Sequence, residues 1–184
     1  HGIPSEKKIL EEGDMVNVDV TVILNGWYGD SSRMFVAGST NKKNYDFLKL
    51  TYDSLLVGIE EAKPGHHIGD IGNKIQKLAE GNGYSVVRDF CGHGIGKDFH
   101  TPPSVLHYGE PGEGPRLEPG MFLTIEPMIN QGGWETKILN DGWTAVTKDK
   151  SLSAQFEHTI GITENGNEIF TLSKNDTAFP IKDI

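Results

Sequence analysis

The sequence predicts an α/β fold with two pseudo-symmetric halves and acidic residues converging between them. Three observations carry that expectation. Residues 15–24, MVNVDVTVIL, alternate apolar and polar and run into Asn25-Gly26, a strong two-residue hairpin signal. Two stretches of helical periodicity follow, over 44–62 and from about 70 to 81. EGDMVNVDV then echoes EPGMFLTIE: each opens at a turn glycine, Gly13 or Gly120, and places an acid six residues on, Asp19 or Glu126. Each is followed by a further strand with a second acid, Asp30 or Glu157.

In the first strand Val16, Val18, Val20 and Val22 point one way and Asn17, Asp19 and Thr21 the other. With Asn25-Gly26 as the turn, a strand over 27–36 returns antiparallel and Leu24 faces Trp27. Thr21 then faces Asp30, and Asp19 is diagonal to Asp30 on the same face, within reach of a common cation. The first helix carries Leu48, Tyr52, Leu55, Leu56 and Ile59 on one stripe and ends at Pro64-Gly65. The second starts at Asp70 as N-cap and runs through Ile71, Ile75 and Leu78 to Gly81. Residues 84–90 read as a strand leading into CGHGIG, and 101–120, rich in Pro and Gly, as a loop. Strand signals fill the remainder at 121–130, 135–139, 143–147, 155–163 and 167–172.

Composition narrows the function classes. A chain of 184 residues with 36% hydrophobic content is expected to form one domain, 1–184, with a real core. A formal charge of −9 argues against nucleic-acid binding, which wants a basic face. No apolar run approaches the roughly 20 residues of a membrane span. The single cysteine, Cys91, forms no internal disulfide and suits a reducing compartment, so the expected location is cytoplasmic.

The acids carry the chemistry. Asp19 and Asp30 have two readings at this point: solvated acids on an exposed strand face, or a cation site. Glu126 lies in MFLTIEPMI, where a carboxylate must be paired or hold a metal to be buried. Pro127 removes a ladder donor and suggests a bulge that re-aims Glu126. Glu157 repeats the theme, with His158 beside it as a residue supporting the ligands. Glycines on either side of His93 leave backbone room to approach a ligand, and His100 can point into the same cavity. Four carboxylates and a histidine form an oxygen-rich set suited to two divalent ions, with Mn, Fe, Co and Zn all conceivable. Two such ions lower the pKa of a water, polarise a carbonyl and hold a leaving group. Cys91 with His93 makes a poor nucleophilic pair, because no oxyanion arrangement accompanies them.

With these residues in view, the chain closely resembles type I methionine aminopeptidases of the bacterial or organellar kind. The matching stretches are HGIP (1–4), NVDVTV (17–22), GDSSRMF (29–35), CGHGIG (91–96), FHTPP (99–103), TIEPM (124–128), DGWT (141–144) and LSAQFEHT (152–159). The resemblance implies the pita-bread α/β fold, an antiparallel sheet with helices on its outer face and pseudo-two-fold symmetry. It implies metal ligands at Asp19, Asp30, His93, Glu126 and Glu157. Asp30 and Glu157 would bridge two ions, Asp19 would bind one of them, and His93 and Glu126 the other. A metal-bridging water would attack the first peptide bond, with Glu126 as proton acceptor. His100 would stabilise the tetrahedral intermediate, and His1 would sit near the substrate amide. Phe99 and Trp143 match residues lining the methionine pocket. Asn17 and Ser153 match positions that hold a monovalent cation, Na or K, in some relatives.

The implied substrates are nascent polypeptides beginning with Met and a small residue, met by a monomer associated with the ribosome. The family carries several dozen residues ahead of HGIP, including part of the methionine pocket. The sequence therefore reads as a form lacking that segment, with its activity in question. An X-Pro aminopeptidase or prolidase is the competing enzyme, and an inactive pita-bread binding module the competing non-enzyme. DGWT, the FHTPP context and the full ligand set favour the methionine enzyme.

Overall fold

Met15–Leu24 (β1) and Trp27–Val36 (β2) pair in the register that the turn dictates: Leu24 faces Trp27, Thr21 faces Asp30 and Asp19 faces Ser32. Asn25 and Gly26 take φ of 52° and 79°, the left-handed pair that a type I′ turn requires. The computed structural model describes residues 1–173 and 179–181. After the hairpin come two helices, Lys42–Glu61 (α1) and Ile68–Gly81 (α2). Short strands follow: Ser85–Val86 (β3), Gly92–Gly94 (β4), Thr101–Val105 (β5), Phe122–Ile125 (β6) and Met128–Asn130 (β7). The last five are Thr136–Ile138 (β8), Ala145–Thr147 (β9), Ser153–Gln155 (β10), Glu157–Thr163 (β11) and Gly166–Ile169 (β12).

The main sheet is antiparallel and seven-stranded, in the order β1-β2-β11-β6-β4-β5, with β12 also pairing β11. Strands β10-β7-β3 form a second sheet and β8-β9 a separate hairpin. The stretches read as single strands over 121–130 and 155–163 are each divided between sheets. The first leaves the main sheet after Ile125 and re-enters the small one at Met128; the second passes from β10 to β11 across Phe156. Period-two alternation carries through such a corner, so the change of sheet leaves little trace in the pattern. Residues 101–105, expected as loop, form β5. Pro102 and Pro103 are tolerated there because β5 is the last strand of the sheet.

Helix α1 is capped by Asn41, whose side chain accepts the Asn44 N–H at 2.9 Å. Helix α2 begins three residues earlier than expected. His67 occupies the N-cap, and Asp70 is the third helical residue, its carboxylate accepting the His67 N–H at 2.6 Å and the Gly112 N–H at 2.8 Å. Phe47, Leu48 and Leu55 of α1 and Ile71, Ile75 and Ala79 of α2 are fully buried. Burial is worth about 1.5–3 kcal/mol for each large apolar side chain among them. Gly58 is the close-approach point: a Cβ there would meet Ile75 of α2 at 2.6 Å and Ile125 of β6 at 3.3 Å.

That packing covers only the half of the sheet around β6 and β11, where Leu123, Ile125 and Ile160 are fully buried. The valine face of β1, which the alternation marks as apolar, is open: Val18, Val20 and Val22 are 45%, 48% and 58% exposed. No helix of the described residues lies on it, and β1 is the opposite end strand. No helix among the described residues is long and apolar enough to cross a membrane.

Candidate metal centre and active site

Strand order places the acids. The successive strands β1, β2, β11, β6 and β4 carry Asp19, Asp30, Glu157, Glu126 (the residue that follows β6) and His93. The register sets Asp19, Ser32 and Glu157 side by side across three strands. Asp30 lies one row over, with its backbone N–H donated to Thr159 Oγ1 and its carbonyl accepting from the same hydroxyl. Asp30, His93 and Glu157 each present a ligand atom within 4.8 Å of the others. His93 Nε2 is 3.8 Å from Asp30 Oδ2 and 3.7 Å from Glu126 Oε1. Asp19 stands at the margin of this group and lines the cavity above it together with Asp30, His93 and Glu126.

Glutamate 157 argues most directly for a cation. It is 2% exposed, and neither carboxylate oxygen has a hydrogen-bond partner among the described residues. A charged carboxylate left in that state is prohibitive, and hard oxygen donors around it match a divalent ion. Burial raises the Glu157 pKa far above its ordinary range, and the neighbouring charges of Glu126, Asp30 and Asp19 raise it further. Glu126 is shifted in the same direction, first by burial and then by Asp30 and Asp19. Asp19 is pushed up to about 6 by desolvation and by Asp30. Burial holds His93 below the ordinary imidazole value, so it is a neutral donor at pH 7. Asp30, His93, Glu126 and Glu157 therefore fit a divalent metal centre in burial, charge and donor chemistry, with the more exposed Asp19 adding a carboxylate at its margin.

Hydrogen bonds aim these side chains. Thr124 Oγ1 donates to Glu126 Oε1 at 2.7 Å and accepts the His93 N–H at 3.0 Å, tying two of the five to one threonine. Thr21 Oγ1 donates to Asp30 Oδ1 at 2.8 Å. Gln155 Nε2 donates to the carbonyl and to Oε2 of Glu126 at 3.2 and 3.3 Å. Asn17 Nδ2 donates to Ser32 Oγ at 2.7 Å and to the Gln155 carbonyl at 3.0 Å, joining the main sheet to the small one at β10. The glycines beside His93 serve neighbouring strands: a Cβ on Gly92 would strike the Thr124 carbonyl of β6, and one on Gly94 the Pro102 carbonyl of β5. His158, expected beside the ligands, points to the other face of β11, where Nδ1 meets Thr171 Oγ1 at 2.8 Å.

A cavity of about 690 Å³ opens over the acids, walled by His1, Phe90, Cys91, Phe99, His100 and Trp143 among others. The His93 and His100 rings are 4.3 Å apart, centre to centre. Phe99 stacks on Tyr28 at 5.5 Å and meets the edge of His93 at 5.6 Å. His1 stacks on Phe90 at 4.3 Å, its carbonyl accepts the Ala145 N–H at 3.0 Å, and Trp143 stands 6.5 Å away. The His1 ring is thus better anchored than its terminal position suggests. A second cavity of about 640 Å³ shares His1, Asp19, Glu126 and Trp143 with the first and is also lined by Asn17. Ser153 lines a third, smaller space and donates to the Ile129 carbonyl at 3.3 Å. Asn17 and Ser153 are therefore in adjoining cavities that share His1 and Met128.

Sequence reasoning missed Phe90, Thr124, Gln155 and His107. Phe90 and Thr124 sit beside motif residues that were singled out, and Gln155 precedes Glu157 by two, so their positions were within reach. His107 gives no local signal: it is one histidine in VLHYG. It is 2% exposed, its pKa is pushed down to about 3 by burial, and its Nε2 accepts the Glu126 N–H at 3.0 Å.

Known proteins are similar to this chain in both sequence and fold. A methionine aminopeptidase A from Synechocystis is 58% identical over 174 residues, 95% of this chain and 69% of its own length. A methionine aminopeptidase from Rickettsia prowazekii is 56% identical over 181 residues, 98% of this chain and 70% of its own. The crystal structure of the Rickettsia prowazekii enzyme superposes with a TM-score of 0.91 at 57% identity, over 94% of this chain and 69% of that one. A prolidase from Pyrococcus furiosus is more distant, with a TM-score of 0.73 at 29% identity. The fold is accordingly the pita-bread fold of these peptidases, and the acid-lined sheet centre lies inside the stretch, residues 1–164, that matches Metallopeptidase family M24. On that match and these identities, the chain belongs to metallopeptidase family M24.

Proposed function

We propose that this chain is a methionine aminopeptidase that removes the initiator Met from polypeptides whose second residue is small. The observation that carries the reading is the convergence of four acids and one histidine from five successive strands, around a buried Glu157 with no hydrogen-bond partner among the described residues. Asp19, Asp30, His93, Glu126 and Glu157 would hold two divalent ions, with Asp30 and Glu157 shared between them, Asp19 serving one and His93 and Glu126 the other; Mn, Fe, Co and Zn would all suit this donor set. When bound, such ions supply an acidified water and Lewis-acid polarisation of the scissile carbonyl. Glu126 receives the proton of the attacking water on a carboxylate oxygen and passes it to the leaving amine. His100, beside His93, donates a hydrogen bond to the oxyanion that develops on the scissile carbonyl. His1, braced by Phe90, orients the substrate amide. Phe99 and Trp143 provide apolar wall for the methionine side chain. Asn17 and Ser153 would serve a Na or K ion, which would steady the junction of the two sheets.

The substrate source implied by this reading is the nascent chain emerging from the ribosome, acted on by a monomer in the cytoplasm. The test is methionine release from Met-Ala-Ser with added Mn or Co, with the longer Rickettsia prowazekii enzyme run in parallel. Release that depends on metal and stops with EDTA is the expected result. Cleavage of an X-Pro peptide with no methionine release would place the chain with the prolidases instead.

A further inference from the structure

We propose that His107 is a positioning residue for Glu126, holding the strand corner that aims this carboxylate into the metal centre. The proposal rests on the assignment of Glu126 to that centre. The corner is the point at which the chain leaves the main sheet after Ile125 and enters the small sheet at Met128. Glu126 and Pro127 lie between the two ladders, and proline has no N–H. The Glu126 N–H is therefore the corner's only backbone donor, and it is donated at 3.0 Å to Nε2 of a histidine with 2% exposure. A ring nitrogen that accepts carries a lone pair, so His107 bears its proton on Nδ1.

The other contacts of Glu126 hold its far end and its carbonyl. Thr124 and Gln155 grip the carboxylate, and Gln155 the carbonyl oxygen. Only His107 fixes the amide, so it sets the rotation of the peptide plane from which the side chain departs. The residue before a proline is already restricted to extended backbone. With its amide also pinned, Glu126 is left little freedom beyond its side-chain torsions. Losing the acceptor would strand a buried N–H, and the corner would turn to find another partner. The carboxylate would swing with it, away from His93 Nε2, now 3.7 Å distant. Groups that support metal ligands in this way alter metal affinity or activity by about 10–100-fold when removed.

The experiment compares His107→Leu, which keeps bulk without an acceptor, with His107→Gln, whose Oε1 can take the same hydrogen bond. Three readouts apply: Co(II) affinity, the visible absorption of the Co(II)-loaded protein, and kcat and KM for Met-Ala-Ser. His107→Leu is expected to lower kcat about 10–100-fold with KM little changed, to weaken Co(II) binding about ten-fold and to shift the absorption bands. His107→Gln is expected to recover most of each loss. Long-range nitrogen–proton NMR of the metal-free parent should show His107 protonated at Nδ1. Equal impairment by Gln and Leu would reduce His107 to a packing residue, and an unchanged Leu variant would remove its role altogether. Should His107→Leu fail to fold, His107→Asn, too short to reach the Glu126 N–H, takes its place with the same expectations. Glu126→Gln is the parallel control. If it leaves turnover and Co(II) binding intact, the assignment of Glu126 fails; if it abolishes them while the His107 variants match the parent, only the positioning claim fails.

Discussion

Asp30→Asn is expected to remove metal-dependent turnover, lowering kcat by at least about 10³-fold, roughly 4 kcal/mol of barrier. The substitution keeps the shape of the side chain. Thr21 can still donate to the amide oxygen, and the backbone bonds to Thr159 are untouched, so β2 stays in place. What is lost is a negative charge at the centre of the acid cluster, at 5% exposure. The charge of Asp30 raises the pKa values of Asp19, Glu126 and Glu157, so removing it relieves repulsion in the metal-free protein. The variant should therefore unfold in EDTA at a urea concentration equal to or above the parent's, while losing the stabilisation that Mn gives the parent. Loss of activity together with loss of metal-free stability would point to damaged packing. Retained activity would defeat the two-metal mechanism.

The second large effect concerns pH and metal together. Glu126 and Glu157 are held well above the ordinary glutamate value of 4.5, chiefly by burial. In the folded, metal-free chain they keep protons that the unfolded chain has released above that pH. Stability from such groups is complete below the unfolded pKa and is lost as pH rises through the folded values. His93 and His107 are depressed by burial and contribute the opposite slope, but only below about pH 6.5, where unfolded histidine takes up a proton. Above pH 7 the acids act alone. The unfolding free energy in EDTA should fall by about 2–4 kcal/mol between pH 7 and pH 9. Mn at about a hundred times its Kd should restore roughly 2.7 kcal/mol at pH 8, and its affinity should rise with pH as it displaces protons from the two glutamates. Urea titrations at the three pH values decide this; a metal-free protein whose stability is flat or climbs from pH 7 to 9 would show that the buried acids are ionised without a cation.

The first hairpin was legible because two local signals agree, alternation over ten residues and an Asn-Gly turn, and together they fixed the register that sets Thr21 opposite Asp30. The burial of its faces was not legible. Alternation marks which face is apolar, but a neighbouring element decides whether that face is covered. Helices α1 and α2 lie over Leu123 and Ile125, leaving Val18 and Val20 exposed on the other half of the sheet. The five proposed metal ligands could be named from the internal echo, from acids embedded in apolar runs and from the family resemblance. Their arrangement on successive strands could not, since it depends on β2 meeting β11 across more than a hundred residues. Of the groups that aim them, Thr124 and Gln155 sit beside residues the sequence singles out, whereas His107 was hidden because it acts across a strand corner with no periodic signature.

Metal positions test the proposed centre most directly. Crystals soaked in Mn and measured at an anomalous wavelength should show two peaks, both against Asp30 and Glu157, one also against Asp19 and the other against His93 and Glu126. Two peaks so placed are the predicted result. Peaks elsewhere, or none within reach of Glu157, would contradict the proposal that these four acids and one histidine form the catalytic centre.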